Sequence, residues 1–186
     1  NWEVRPFQWR ALFYEKTSEG KPKYEHRIGL DFGYSHNTAG VRLLVDRPER
    51  IIYVCEELYE QRLSTDEIYK RLTELDWQRE PIHADSEDPK TIKDLHKLGC
   101  SRIFGVKKEH GSVTSGIQEI RGYKIVIAPE CENFEIEISH YAFKQDPTGK
   151  ELPQPMKEWD HLMDAMRYAM KDDAAGIEFV NTSENR

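Results

Sequence analysis

The stretch Ile28-Gly29-Leu30-Asp31-Phe32-Gly33 restricts the possible folds of this chain more than any other. It has the apolar composition of a buried β-strand that runs into a carboxylate. A carboxylate at the end of a buried strand is costly unless a cation or hydrogen bonds compensate for its lost hydration. Gly33 has no Cβ, so a ligand or another backbone can come close to the chain there. Asp31 therefore requires partners from elsewhere in the sequence, and the fold must bring them to it.

The composition excludes several classes of protein. The 186 residues suffice for one domain with its own core, and no apolar run approaches the ~20 residues of a membrane span. The three cysteines are odd in number and far apart, so they fit neither a disulfide framework nor a zinc motif. A net charge of −7 argues against general affinity for nucleic acid, although it leaves room for a local basic surface beside an acidic cleft. The chain opens with Asn1-Trp2-Glu3 and no methionine, so we expect it to be a fragment of a longer protein.

Three consecutive strands are predicted at the start of the domain. Apolar residues mark strands at 28–32, 38–45 and 51–57, and the short turns between them favour an antiparallel meander. After the meander, predicted strands alternate with predicted helices. These later elements are a helix from Ser64 to about Asp76, a strand at 81–84, a helix from Pro89 that Gly99 ends, strands at 102–106 and 123–128 on either side of a helix at 113–121, a helix at 132–139, a hairpin at 141–152 and a last helix at 155–171.

This order of elements matches a ribonuclease-H-like α/β fold: a mixed central sheet of three antiparallel strands followed by parallel strands, with helices on both faces. In such a sheet the first and fourth strands are parallel neighbours, and their carboxyl ends border a crevice. We expect residues 27–175 to form this domain and residues 176–186 to form a C-terminal tail. Residues 1–26 are interpreted as a linker from a preceding domain or, equally well, as a tail that packs on its own domain.

The predicted sheet brings two acids together, and the last helix supplies a third. Asp31 ends the first strand and Asp85 ends the fourth, so their carboxylates meet if these strands are neighbours. In the last helix, Asp164 follows His161 by three residues and Asp160 by four, which places it on a shared face with each of them. Each acid alone has a simpler interpretation, because single aspartates at strand ends and helix starts are usually caps. Asp160 in particular would suit the positive end of the helix dipole.

Three converging carboxylates repel one another, so the arrangement requires divalent cations. Carboxylate oxygens suit Mg²⁺ or Mn²⁺. Two such ions about 3.5–4 Å apart activate a water and stabilise the leaving oxygen of a phosphodiester. We expect Asp31 to bridge the two ions, Asp85 and Asp164 to bind one each, and His161 to bind the second ion or to orient its water. The predicted reaction is hydrolysis of a nucleic-acid backbone.

Four short motifs, in order along the chain, resemble the carboxy-terminal nuclease domain of the large terminase subunit of tailed double-stranded DNA bacteriophages. The resemblance covers about residues 28 to 170 and implies a ribonuclease-H-like fold and metal-dependent cutting of concatemeric DNA during genome packaging. It also implies that Asp31, Asp85 and Asp164 are the catalytic acids and that His161 is an accessory residue of the active site. The motifs are Ile28-Gly29-Leu30-Asp31-Phe32-Gly33, Ala84-Asp85-Ser86-Glu87-Asp88-Pro89-Lys90, Val106-Lys107-Lys108 with Gly111-Ser112-Val113, and His161-Leu162-Met163-Asp164-Ala165-Met166-Arg167-Tyr168.

The same resemblance implies the partners of the protein. They are double-stranded DNA, the terminase small subunit, the portal protein and an amino-terminal packaging ATPase domain in the same polypeptide, with no role for a membrane. The resemblance further implies that the protein acts in the host cytoplasm, at the portal of the prohead, and that it is not a component of the virion.

Basic residues near the predicted cleft are candidates for contacts with DNA phosphates. Lys107 and Lys108 are the strongest candidates because they follow a central strand, and Lys90 and Arg167 are further ones. The hairpin at 141–152 precedes the last helix directly, and we expect it to border the cleft and to limit the access of DNA.

Three other interpretations compete with a terminase nuclease. One is a different ribonuclease-H-like nuclease, such as a junction resolvase or an RNA–DNA hybrid nuclease. Another is an actin-like nucleotide-binding domain, which also uses a strand ending in Asp-x-Gly but needs a second glycine-rich phosphate loop that the sequence lacks. The last is a noncatalytic DNA-binding module, which would leave the three acids without a role.

Overall fold

The computed structural model describes residues 1–107, 111–141, 143–145, 151–155, 159–171 and 177–178. In chain order these residues form β1 (Trp2–Val4), α1 (Trp9–Phe13), β2 (Glu25–Asp31), β3 (Asn37–Asp46), β4 (Ile51–Gln61), α2 (Thr65–Glu74), β5 (Ile82–Asp85), α3 (Pro89–Leu98), β6 (Ile103–Val106), α4 (Ser112–Arg121), β7 (Lys124–Ile127), α5 (Glu132–His140), β8 (Phe143–Gln145), β9 (Glu151–Pro155), α6 (His161–Met170) and β10 (Ile177–Glu178).

Eight of these strands form one mixed sheet in the order β1-β7-β4-β3-β2-β5-β6-β10. The strands β2, β3 and β4 form the predicted antiparallel meander, and β5 lies parallel to β2 with Leu30 opposite Ala84. The first and fourth predicted strands are therefore parallel neighbours, and the ribonuclease-H-like sheet is confirmed. The strands β8 and β9 pair separately as an antiparallel hairpin, whose tip at 146–150 lies outside the described residues.

Helices cover both faces of the sheet, and each face has its own apolar cluster. The cluster beneath α5 and α6 includes Phe134 and Met166, whereas the cluster beneath α2 and α3 includes Leu72 and Leu95. Side chains alternate across a strand, so β2 contributes to both faces. Its residues Ile28 and Leu30 belong to the cluster under α2 and α3, and Gly29 and Asp31 consequently face α6.

The helix α6 runs opposite to β2 and lies unusually close to it. A Cβ at residue 29 would overlap the carbonyl oxygen of Ala165, so glycine is required for this approach. At the other end of the strand, Arg27 Nη1 donates to the carbonyl oxygen of Lys171 at 3.2 Å. The antiparallel arrangement therefore brings the first turn of α6 to the carboxyl end of β2.

The predicted start of the last helix at residue 155 is wrong, since α6 begins at His161. The apolar residues from Trp159 onward have helical spacing, but residues 151–155 pair with β8 as a strand. This pairing within the hairpin keeps residue 155 extended, so the helix does not begin there. Asp160 is consequently the N-cap residue of α6 rather than a member of its second turn.

Side chains cap the starts of α2 and α3. Ser64 and Glu67 form a reciprocal capping box at α2, in which Glu67 Oε2 accepts the Ser64 backbone N–H at 2.8 Å. Asp88 caps α3 by accepting the Thr91 N–H at 3.0 Å. Both helix starts line a cleft of about 320 Å³ that Asp85 also lines.

The chain on either side of the predicted domain also joins the sheet. β1 pairs parallel with β7, and Phe7 packs edge-on against Tyr53 with ring centroids 5.2 Å apart. Residues near the N-terminus thus pack on this domain, while their role as a linker stays a prediction. In the predicted tail, Ile177 and Glu178 pair with β6. No helix in the described ranges has both the length and the apolar character that crossing a membrane requires.

Candidate active site

Asp31 and Asp85 are the last residues of two neighbouring parallel strands, β2 and β5. Because parallel strands end at the same edge of a sheet, both carboxylates lie on one side of the molecule. Each residue is only 8% exposed. Asp85 Oδ1 accepts the backbone N–H of Glu87 at 2.9 Å, which holds its carboxylate in the turn before α3. The strand pairing thus brings together the two acids that the sequence places at strand ends.

The first turn of α6 supplies two more of the predicted site residues. His161 Nδ1 lies 3.1 Å from Asp31 Oδ2, so the first residue of the helix contacts the last residue of β2 directly. Asp164 lies one turn further along α6, and its backbone N–H donates to the carbonyl oxygen of Asp160 at 2.7 Å. His161, Asp164 and Asp31 therefore meet because α6 is antiparallel to β2 and close to it.

The acids share one electrostatic environment. Burial raises the pKa of Asp31 to about 6; the charges of Asp164 and Asp85 act in the same direction, and the hydrogen bond from His161 opposes them. The same hydrogen bond raises the pKa of His161, which burial alone would lower. Tyr168, buried on α6, also has a raised pKa, first because of burial and then because of all three acids. The charges of Asp31, Asp85 and Asp164 therefore all act on this phenol.

Arg167 is buried and does not lie at the rim of the cleft, where a contact with DNA was expected. It is 5% exposed, and its guanidinium lies 4.6 Å from the ring centroid of Tyr168. Its Nη2 is 2.9 Å from Asp164 Oδ1, and its Nε donates to the same oxygen at 3.2 Å. Asp164 therefore has a basic partner within the chain. Arg167 follows Asp164 by three residues, and this helical spacing favours an ion pair.

The donor set suits a hard divalent cation, although it is not gathered around one point. Within the described ranges, no three Asp, Glu, His or Cys side chains are placed so that together they could hold a metal ion. Asp164 pairs with Arg167 and Asp31 with His161, so two of the acids have partners within the chain. Carboxylate oxygens beside an imidazole nevertheless match the preference of Mg²⁺ and Mn²⁺.

Glu137 is a part of the site that the sequence patterns did not indicate. It is 1% exposed on α5, and its Oε2 accepts the backbone N–H groups of Leu162 at 2.7 Å and Met163 at 3.4 Å. These donors belong to the first turn of α6, where the side chain of Asp160 makes no capping bond. Glu137 therefore replaces the usual cap and fixes the helix start that carries His161.

A second carboxylate, half-buried on β4, caps α5 in turn. Glu57 of β4 accepts the N–H of Asn133 at 3.0 Å and the N–H of Phe134 at 2.8 Å. The two carboxylates connect β4 to α5 and α5 to α6. A sequence signal for Glu137 does exist, since it follows Phe134 by three residues and precedes Tyr141 by four. A lone acid on the apolar side of a helix requires a buried hydrogen-bonding partner.

The structure describes two of the three lysines that are predicted to contact DNA. Lys90 is exposed in the first turn of α3, and Lys107 is exposed directly after β6. The carbonyl oxygen of Lys107 accepts a hydrogen bond from Lys171 Nζ. Lys108 lies outside the described residues.

Comparison with known proteins identifies the family. The family described as the terminase RNase H-like domain matches residues 31–172. The PBSX phage terminase large subunit of Bacillus subtilis (strain 168) is 30% identical over 148 residues, which are 78% of this chain and 34% of that protein. The terminase large subunit of Bacillus phage SPP1 is 33% identical over 154 residues, which are 79% of this chain and 36% of that protein. The chain thus spans about a third of the length of these relatives.

A solved structure agrees with the sequence comparison. The crystal structure of the g2p (large terminase) nuclease domain from bacteriophage SPP1 with bound Mn has a TM-score of 0.78 and is 28% identical. The match covers 91% of this chain and 94% of that domain. The fold, the order of the motifs and both relatives point to the same group of proteins. This chain belongs to the terminase ribonuclease-H-like domain family.

Proposed function

We propose that this chain is a metal-dependent endonuclease that cuts concatemeric double-stranded viral DNA during genome packaging. The observation that carries the proposal is the placement of Asp31 and Asp85 at the ends of two neighbouring parallel strands, with His161 of α6 bonded to Asp31 and Asp164 one turn further along that helix. The Mn bound to the related SPP1 nuclease domain supports a requirement for Mn²⁺ or Mg²⁺. We further propose a two-metal site in which Asp31 is shared and Asp85 and Asp164 bind one ion each.

Each residue of the site has its own role in the proposed hydrolysis. His161 holds Asp31 in place through its Nδ1 and is positioned to bind the second ion or to orient the attacking water. Asp164 would bind an ion in place of its contact with Arg167, and the buried guanidinium would then remain as a positive charge near the site. When bound, the divalent ions supply Lewis acidity and neutralise the charge on the leaving oxygen. Glu137 keeps the helix that carries His161 and Asp164 in register.

The wider biological role is part of the same proposal. The chain would act together with a packaging ATPase domain of the same polypeptide, the terminase small subunit and the portal protein, in the host cytoplasm at the prohead. A large terminase from a thermophilic bacteriophage, solved in complex with ATP-γ-S, matches this fold over 40% of its chain, which leaves room there for a further domain.

Digestion of plasmid DNA tests the proposal. The protein should cut duplex DNA with Mn²⁺ or Mg²⁺ and should stop when EDTA is added. Asp31→Asn should abolish cutting, whereas the matched control Asp66→Asn, at an exposed acid of α2, should leave it unchanged. Cutting that persists in Asp31→Asn or in EDTA would contradict the proposal. Competition among duplex, four-way junction and RNA–DNA hybrid separates a terminase nuclease from a resolvase or a hybrid nuclease.

A further inference from the structure

The loop between β2 and β3 is fixed to its surroundings at several points. Thr38 Oγ1 donates to the carbonyl oxygen of Gly33 at 2.8 Å, and the Arg62 N–H donates to the carbonyl oxygen of Tyr34 at 3.2 Å. The ring of His36 stacks on His161 with centroids 5.7 Å apart. A Cβ at residue 33 would come within 2.6 Å of the Asn37 carbonyl oxygen, so the turn is also tight. These contacts tie the loop both to the end of β4 and to α6.

Tyr34 projects from this fixed loop into solvent. It is 72% exposed, three residues after Asp31, and it lines the same cleft of about 320 Å³ as Asp85. Within the described part of the chain its hydroxyl has no hydrogen-bonding partner. The ring therefore contributes little to folding. An immobilised loop that presents a bare aromatic ring beside the candidate catalytic acids indicates a ligand with a flat apolar surface.

The charges around the cleft show which part of DNA this ring can contact. Asp85, Glu87 and Asp88 line the cleft with Tyr34, and the whole chain carries a net charge of −7. Glu87 and Asp88 are not among the proposed metal ligands and repel phosphate, so contact at Tyr34 uses the uncharged sugar or base of a nucleotide. Aromatic side chains stack on accessible bases with little regard for sequence, because every base has a π face, which an unstacked or terminal nucleotide of a duplex exposes.

We propose that Tyr34 packs against the nucleoside next to the scissile phosphodiester and holds the DNA over the acids. This inference rests on the proposed nuclease function and adds a substrate contact to it. Because stacking does not release counterions, the contribution of Tyr34 to affinity should not depend on salt. The contribution of an exposed lysine such as Lys107 to affinity should instead fall as the salt concentration rises.

Binding of a short DNA duplex in Mn²⁺ tests the proposal, with all variants made in an Asp31→Asn background so that the DNA stays intact. Tyr34→Ala should raise Kd about five- to fiftyfold. Tyr34→Phe and Tyr34→Trp keep a flat ring and should bind within about twofold of the parent protein. The matched control is Tyr14→Ala, since Tyr14 is 76% exposed in the N-terminal segment and should not affect binding. The ratio of the Kd values for Tyr34→Ala and its parent should be equal at low and high salt.

A cleavage assay in protein that retains Asp31 distinguishes the stacking role of Tyr34 from the nuclease function. Tyr34→Ala should raise KM and leave the single-turnover rate at saturating DNA unchanged, because the ring contacts substrate but not the reacting atoms. If Tyr34→Ala binds DNA as well as its parent while the unmodified protein still cuts, the stacking role is overturned and the nuclease function stands. If the unmodified protein neither binds nor cuts DNA, both are overturned. A loss in Tyr34→Phe equal to that in Tyr34→Ala would also exclude stacking.

Discussion

Gly29 of β2 lies directly beneath Ala165 of α6, so close that an added Cβ would overlap the carbonyl oxygen of Ala165 and lie 2.9 Å from the backbone nitrogen of Ala169. The overlap is with backbone rather than with a flexible side chain, so neither partner can move aside cheaply. The distance between β2 and α6 sets how closely Asp31 approaches His161 and Asp164. The absence of a Cβ at Gly29 thus determines both how closely α6 packs on β2 and the geometry of the site.

Gly29→Ala should destabilise the fold by roughly 2–4 kcal/mol, since the extra methyl group overpacks a backbone contact. Urea unfolding in EDTA measures this change. Any folded fraction should also bind Mn²⁺ more weakly, because α6 is displaced from β2. Gly20→Asn is the matched control: residue 20 has open space around it and a φ of +78°, which asparagine tolerates. Equal stability of Gly29→Ala and the unmodified protein would contradict the close packing described above.

Removal of Glu137 should affect the site from a distance. Glu137→Ala leaves two N–H groups in the first turn of α6 without their acceptor and should cost about 2 kcal/mol of stability. Glu137→Gln keeps a carbonyl acceptor and should recover most of that loss. In DNA cleavage, Glu137→Ala should require more Mn²⁺ for half-maximal activity, and Glu137→Gln should lie between it and the unmodified protein. If the two variants require the same amount of Mn²⁺, Glu137 does not position α6.

The stability of the metal-free protein should fall as the pH rises from about 4 to above 6. The pKa of Asp31 rises from an ordinary 3.8 to about 6 in the folded state, so the folded protein binds the proton more tightly than the unfolded chain does. This contribution is present in full below the ordinary pKa and is lost as the pH passes through the raised one. Asp31→Asn should remove this dependence and be about 1–3 kcal/mol more stable than the unmodified protein at pH 8 in EDTA. Thermal unfolding at a series of pH values checks this, and parallel curves for the two proteins would refute it.

Arg167→Met should destabilise the metal-free protein by about 1–3 kcal/mol, because Asp164 then stays near Asp31 and Asp85 without its cation. Added Mn²⁺ should stabilise this variant more than the unmodified protein, since the metal replaces the missing positive charge. The same substitution in an Asp164→Asn background should cost less, which a double-mutant cycle measures. Additive effects of the two substitutions would exclude coupling between these residues.

The sequence predicted the parts of the site that local patterns and strand order determine. Asp31 and Asp85 were found because each follows an apolar run, and strand order places their carboxyl ends at one edge. The start of α6 was missed because the second strand of the predicted hairpin continues to Pro155, and helical periodicity does not record that pairing. Glu137 was missed for a related reason, since its partners are backbone N–H groups 25 and 26 residues further along the chain.

Glu57 and Glu137 link β4, α5 and α6 in series. The position of α6, which carries His161 and Asp164, therefore depends on a strand two positions away from β2. A substitution at such a remote residue would alter catalysis even in a homologue that keeps every catalytic side chain. Among homologous chains, we accordingly expect positions 57 and 137 to covary, with the loss of one carboxylate accompanied by a compensating change at the other.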